Sequence, residues 1–379
     1  MPNPNAVVSS VMRFDPPLDR APAEMLRAER GVSVELENGR RVRLDPANPH
    51  SVGFAQILDE LSKLRRPVYL EVDPATSVIT RLLIPLVARV ASVRSIQDSV
   101  LDVELDPSHA RHVLRLGEAD SANLEAELRE ALRSGGPVIL TEDDAHNIID
   151  VRSFRPGPDG PLPPFPKSEF RRRIPWPLHW IGELLRWIWR WRWWPWWWWC
   201  CLTMTKAQQV FDAMNATTCN PLTVPAPCIP FLFPDDGCWA RAHEMCRLMI
   251  NMGHSPRKVW IDHSVGHNLH VNTRNNPSCF VEWGWHVAPT LCVRGPKFFQ
   301  TQRLVIDPSL FTTPVPEATW KGVQGNPGAT LTETDSDQFW HGGGPDPTYS
   351  NTNYYLAFYR IHLQNRAIQF GPPPYANCP

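Results

Sequence analysis

Apolar and polar positions alternate in short runs along the first part of the chain, and one stretch changes period. Between Val52 and Leu64, Phe54, Ile57, Leu58 and Leu61 recur every three or four residues, the spacing of a helix with one apolar face. Before it, Val32–Glu37 and Arg41–Leu44 flank Asn38-Gly39, a hairpin signal of the type I′ kind. After it, Val68–Val72, Val78–Val93 (broken at Pro85), Val100–Leu105 and Val113–Leu116 predict strands. A second helix is predicted over Ala122–Arg133, then strands near Val138–Thr141 and Ile148–Phe154. Together these make an α+β module over residues 31–154, with no cysteine and no clustered catalytic residue types. Residues 1–30 lack the basic start and apolar core of a secretory signal and read as a flexible leader.

The pattern then breaks. Residues 155–175 are a Pro/Gly-rich linker (RPGPDGPLPPFPK and the run Arg171-Arg172-Arg173), expected to be extended. A Trp/Arg-rich segment follows over 176–201, with eleven of the seventeen tryptophans between Trp176 and Trp199. As a membrane span it would hold Glu183, Arg186, Arg190 and Arg192, at about 3 kcal/mol each near the bilayer centre. That total, on the order of 10 kcal/mol, disfavours spanning. A segment lying in a membrane interface, where Trp and Arg are both tolerated, and a linker whose indoles pack on flanking domains stay open. Peripheral membrane contact through Trp176–Trp199 is therefore one expected partner interaction.

Residues 202–379 carry the candidate chemistry. Asp235 or Asp236 is a good helix N-cap, Gly237 permits a sharp turn, and Cys238, Ala242, Met245, Met249 and Met252 form an apolar stripe ending at Gly253. A thiol in the first turn feels the positive end of the helix dipole, which favours the nucleophilic thiolate. The alternative is one more buried apolar cysteine. Phe280–Ala288 alternates as a strand, with Val281, Trp283, Trp285 and Val287 on one face and Gly284, His286 and Ala288 on the other. Small neighbours leave room for another element to approach the His286 ring. Leu304–Leu310 is a short apolar strand interrupted at Pro308, and Asp307 there is placed to accept from an imidazole and fix its tautomer.

The motifs PDDGCWARAHEM, WGWHVAP and VIDPSLF, the last followed by a Pro-Val and Trp320, resemble the bacterial protein-glutaminase family. The resemblance covers about Met204 to Pro316 well. It implies a papain/transglutaminase-like cysteine-enzyme domain, with a nucleophile helix packed on an antiparallel sheet. It further implies Cys238 as nucleophile, His286 as base, Asp307 as orienting carboxylate and a Cys219–Cys228 disulfide. The implied reaction is hydrolysis of glutamine side-chain amides in proteins or peptides to glutamate and ammonia, with no cofactor. Trp239 and Trp285 are candidate groove walls or simply core. The His- and Asn-rich segment Ile261–Pro277 and the tail beyond Gly322 depart from the family, so substrate preference does not carry over. The first module's helix-then-Pro-Val-strand order is loosely similar to the family's pro-region; inhibitory pro-domain, targeting domain and structural partner are open. A transglutaminase or cysteine peptidase would use the same triad. From another class, a membrane-binding toxin would act through the Trp-rich segment.

Charge and cysteine usage narrow this further. Lys plus Arg (38) nearly balances Asp plus Glu (39), a net charge of −1, which gives no electrostatic reason to expect nucleic acid. All nine cysteines lie from Cys200 onward. Setting Cys238 aside leaves an even number, which fits an oxidising destination, although Cys246 beside the helical stripe reads equally as a free core thiol. Export without a signal peptide implies a non-classical route. His263, His267 and His270 are closely spaced near Asp262 but lack a Cys-x-x-Cys companion, so no metal site is expected. Asp335–Tyr349 reads as a loop and Tyr354–Leu363 as a terminal strand.

Overall fold

The alternating runs of the first module become ten strands in two antiparallel sheets, seen in a computed structural model. It describes residues 5–118, 120–166, 201–223, 227–264, 266–297 and 299–379. The Trp176–Trp199 segment and Cys200 lie outside the described residues, and with them the expected membrane contact. In order come β1 (Ala6–Asp15), α1 (Pro22–Ala28), β2 (Val32–Leu36), β3 (Arg41–Leu44), α2 (Ser51–Lys63), β4 (Pro67–Val72) and β5 (Ile79–Leu83). Then follow β6 (Leu86–Gln97), β7 (Val100–Asp106), β8 (His112–Arg115), α3 (Ser121–Ser134), β9 (Pro137–Glu142) and β10 (Ile148–Ser153).

The two sheets share one topology. Their orders are β3-β2-β1-β4-β5 and β10-β9-β6-β7-β8, so β6 to β10 take the places of β1 to β5, and one long helix links third and fourth strands in each. The sequence carries a trace of this repeat. Pro67-Val68-Tyr69-Leu70 returns as Pro137-Val138-Ile139-Leu140, and Asp73 and Asp143 each turn the chain by accepting from backbone N–H groups two or more residues on.

Three expectations need correction here. The supposed flexible leader supplies β1, the middle strand of the first sheet, and α1, whose Met25 and Leu26 are buried. A middle strand is buried on both faces, and Ser9 and Ser10, buried among Val7, Val8 and Val11, mask its apolar run. At Asn38-Gly39 only Gly39 enters the left-handed region (φ 80°), and Leu36 N–H donates to Arg40 O, so the hairpin closes with a three-residue loop rather than type I′. The first part of the linker is pinned, not free: a Cβ on Gly160 would overlap the Arg65 carbonyl, and Tyr355 Oη–H donates to Pro164 O at 2.5 Å.

The second half is built from α4 (Met204–Asn215), α5 (Cys238–Asn251), β11 (Arg257–Asp262), β12 (Leu269–Asn272), β13 (Phe280–Trp283), β14 (Trp285–Arg294), β15 (Thr301–Val305), β16 (Val315–Pro316), α6 (Glu317–Gly322), β17 (Thr330–Asp335) and α7 (Ser350–Phe370). An antiparallel sheet β16-β15-β14-β11-β17 carries α5 against β14, and β12 pairs with β13 separately. The expected single strand Phe280–Ala288 thus breaks at Gly284. Tyr354–Leu363 is not a strand but the middle of the 21-residue α7. Its Tyr, Phe and Ile content favours strand, and it touches α5 and α2 at once, so burial on several faces leaves no apolar stripe to read. A Cβ on Gly53 of α2 would overlap Ile368, which explains the glycine in that helix. Disulfides join Cys219 to Cys228, Cys201 to Cys292 and Cys279 to Cys378; Cys238 and Cys246 are free and buried. Among the described residues no helix is long and apolar enough to cross a membrane.

Candidate active site

Gly237 turns the chain into α5. Its φ is 81°, and a Cβ there would overlap the Tyr359 ring of α7, so the position accepts no side chain. Neither aspartate caps the helix, contrary to the sequence expectation. Asp235 pairs with Arg366, Oδ2 to Nη1 at 2.6 Å, and Asp236 accepts from Gly237 N–H (2.9 Å) and from Tyr359 Oη–H (2.7 Å). Cys238 follows as the first helical residue, fully buried beneath the second residue of β14, His286.

The structure brings Cys238, His286 and Asp307 together. His286 Nε2–H donates to Asp307 Oδ2 at 2.9 Å, and Trp320 Nε1–H donates to the same oxygen at 2.9 Å. That fixes the imidazole with Nδ1 unprotonated, and this buried nitrogen has no hydrogen-bond partner among the described residues. A ring nitrogen of His286 lies within 4.8 Å of the Cys238 sulfur. Trp283 stacks on the ring at 4.4 Å between centroids and an interplanar angle of 15°. Burial pushes the Cys238 thiol well up, against the pull of the nearby Arg241 guanidinium. Burial likewise lowers His286, keeping it neutral. For Asp307 burial works upward but is outweighed by His286 and Trp320, and the carboxyl sits below its ordinary range.

One member was missed in the sequence. His109, from the loop between β7 and β8, reaches into the site with its side chain fully buried, and one of its ring nitrogens also lies within 4.8 Å of the sulfur. Its Nδ1–H donates to Trp285 O at 3.0 Å, and Nε2 accepts from the Cys238 backbone N–H at 3.4 Å. The loop docks by main chain as well. Gly284 N–H donates to His109 O, Arg111 N–H donates to Glu282 O, and Ala110 bridges Trp283 antiparallel, so residues 109–111 run as an added strand along β13. The first module therefore does carry chemistry-bearing residues, including a second cluster of His112, Glu142 and His146. The available signal was Asp106-Pro107-Ser108-His109-Ala110-Arg111-His112, two histidines in a hairpin connection.

Trp239 is buried and meets His109 edge-on at 6.0 Å; Trp285 is half-buried, with its ring 5.3 Å from His109 and stacked on His341 at 4.5 Å. Both thus border the space His109 fills. Beside it a cleft opens, lined by Asp102, Arg111, Asp262, His263, Trp285 and His341. His263 bonds Gly284 O at 2.7 Å and His270 bonds Glu282 at 3.3 Å.

A thiol, an imidazole with a free nitrogen and a carboxylate behind it form the donor set of nucleophilic acyl transfer. Residues 207–324 match a family model described as a glutaminase, so this part of the chain is similar to the protein-glutaminase family. Among solved structures, a pro-protein-glutaminase is similar over 78% of this chain and 99% of its own, at 19% identity and a TM-score of 0.49. The protein-glutaminase from Chryseobacterium proteolyticum is similar over 47% of this chain and 97% of its own, at 25% identity and a TM-score of 0.38. No curated protein matches the chain.

Proposed function

We propose that the protein is a protein-glutamine deamidase held closed by its N-terminal module. One observation carries the chemistry: an unpaired, buried Nδ1 of His286 beside the Cys238 sulfur, with Asp307 locking the opposite nitrogen. His286 takes the thiol proton, and the sulfur attacks the side-chain carbonyl carbon of a glutamine. The resulting oxyanion sits at the start of α5, where the Cys238 N–H points. His286 returns the proton to the departing nitrogen, ammonia leaves, and a thioester remains. His286 then deprotonates a water, which attacks the thioester and frees glutamate and the thiol. Asp307 holds the imidazole tautomer throughout.

His109 supports the closed reading. Its Nε2 takes the Cys238 N–H that an oxyanion would need, and residues 109–111 occupy the β13 edge along which an extended protein segment would pair. Protein or peptide substrates with an exposed glutamine are the partners this implies. Trp239 and Trp285 would wall the glutamine side chain. An oxidising, extracellular destination fits the three disulfides.

The test is ammonia release and the amide-to-acid mass change in a glutamine-rich protein, before and after limited proteolysis within residues 155–201. Activity should appear on cleavage, and Cys238→Ala should abolish it in the cleaved protein. Ammonia release by cleaved Cys238→Ala would overturn the assignment. High-mass products would mean acyl transfer to amines, as in a transglutaminase, and fragments of the substrate would mean backbone cleavage.

A further inference from the structure

We propose that His109, Cys238 and His286 form a zinc site that latches the N-terminal module onto the thiol. The three donor atoms, two imidazole nitrogens and one sulfur, all lie within 4.8 Å of one another and all three residues are buried. Imidazole and thiolate are the donors zinc prefers among the divalent ions of its row. A tetrahedral zinc with bonds of about 2.0–2.3 Å sets its ligands about 3.4–3.6 Å apart, so the set has to draw in by about 1 Å.

The orientation of each ring is what a metal requires. Histidine ligands commonly donate their second ring N–H to a carboxylate or a backbone carbonyl, which fixes the tautomer and aims the lone pair. His286 donates to the Asp307 carboxylate, and His109 donates to the Trp285 carbonyl. The other nitrogen of each ring is then a lone pair: that of His286 is buried without a hydrogen-bond partner among the described residues, and that of His109 accepts from the Cys238 N–H at 3.4 Å, a long bond that zinc would replace. The second cluster is arranged differently. His112 Nδ1 and His146 Nδ1 both bond Glu142, at 2.5 and 2.8 Å, and His112 Nε2 meets Ser108 Oγ at 3.0 Å. The nitrogens that meet at Glu142 are thus already hydrogen-bonded, and His146 Nε2, buried without a hydrogen-bond partner among the described residues, lies 3.5 Å from Asp235 Oδ1 instead.

Zinc binding would exchange the Cys238 thiol proton, released to solvent, for a zinc–sulfur bond. The buried Arg241 guanidinium opposes the added charge, and the Asp307 and Asp236 carboxylates offset it. Asp236 Oδ1 lies 3.5 Å from His109 Nε2. Because the ligands come from both halves of the chain, the ion would tie the module down and cover the thiol at once.

The test uses the full chain. Wild-type protein loaded with zinc and dialysed against zinc-free buffer should retain stoichiometric metal, and cobalt(II) should give a thiolate charge-transfer band. Cys238→Ser and His109→Gln should lose the retained metal, and Cys238→Ser should also lose the band. Asp307→Asn should weaken binding by about 10–100-fold, and Glu142→Gln should leave it unchanged. Melting temperatures in chelator confirm that each variant is folded. No retention by the wild type, or wild-type retention in Cys238→Ser and His109→Gln, overturns the proposal. Loss of metal in Glu142→Gln alone would move the ion to the other cluster and overturn it equally.

Discussion

Replacing His109 with alanine should expose the Cys238 thiol. In the docked state the ring accepts from Cys238 N–H at 3.4 Å, donates to Trp285 O at 3.0 Å, and lies buried among Trp239, Trp283 and Trp285. Two hydrogen bonds at about 1 kcal/mol each, with the cavity left by a buried ring, put the loss at about 2–4 kcal/mol. The loss falls on docking, because the loop carrying His109 faces solvent once the module lifts away. At about 1.4 kcal/mol per factor of ten, the open population rises by about 30–1,000-fold. Alkylation in chelator, followed by mass mapping, reads this at Cys238. Cys246 is the internal reference: it too is a free, buried thiol, pushed up to about 11 by burial, but it sits on α5 away from the seam. Labelling of Cys238 should accelerate while Cys246 does not. Equal acceleration of both would mean global loosening, and no acceleration would mean that His109 does not hold the site shut.

Trp320→Phe keeps a smaller aromatic ring but removes the N–H to Asp307 Oδ2, a charged-acceptor bond of about 1.5–3 kcal/mol. If Asp307 orients the base, kcat of the cleaved enzyme should fall by about 10–100-fold, and an unchanged kcat would remove that role. Gly237→Ala adds a Cβ against Tyr359 at a φ of 81°, and should lower stability by more than about 1–2 kcal/mol, read as a drop in melting temperature. Acid should weaken the fold through the module seam. Burial opposes ionisation of Asp235 and Glu142, yet Arg366 with His146, and His146 with His112, hold these carboxyls well below their ordinary range. Their contribution is complete above the unfolded carboxyl pKa and is lost as pH falls through the lowered folded values, so melting temperature should decline steeply below about pH 4. Asp235→Asn should flatten that decline; an identical slope would contradict it.

Cys238, His286 and Asp307, which the structure brings together, were legible because each sits in a local pattern of its own: Cys238 after a Gly turn, His286 between small residues, Asp307 before a strand-ending proline. The first module's helices and strands were legible from periodicity for the same reason. What escaped were features made by long-range contact. β1 hid because a strand buried on both faces shows no alternation, and its two serines read as surface. α7 hid because a helix packed against both halves shows no stripe, and its aromatic residues favour strand. His109 hid because its neighbours in space are 129 and 177 positions away along the chain. The repeat offered one indirect route to it. Glu142 and His146 stand where the first unit has Val72 and Thr76, so the second unit holds charge where the first holds apolar and neutral residues. That difference marks the face that meets Asp235, where His146 Nε2 lies 3.5 Å from Oδ1.

In the proposed closed state the docked module does more than cover the site. Covering Cys238 removes water from the thiol, and burial raises its pKa well beyond the ordinary value although Arg241 stands nearby and the helix dipole points at it. Burial also keeps His286 neutral, and His109 is held neutral by burial first and by its neighbours His286 and Arg241 second. Thiol and imidazole are thus a neutral pair while the module is seated. Lifting the loop returns solvent to both groups, which lowers the thiol and raises the imidazole toward an ion pair. In the proposed deamidase, opening the substrate edge and charging the nucleophile are then one event. A module that only filled the groove would leave a reactive thiolate behind it; this one also withdraws the charge.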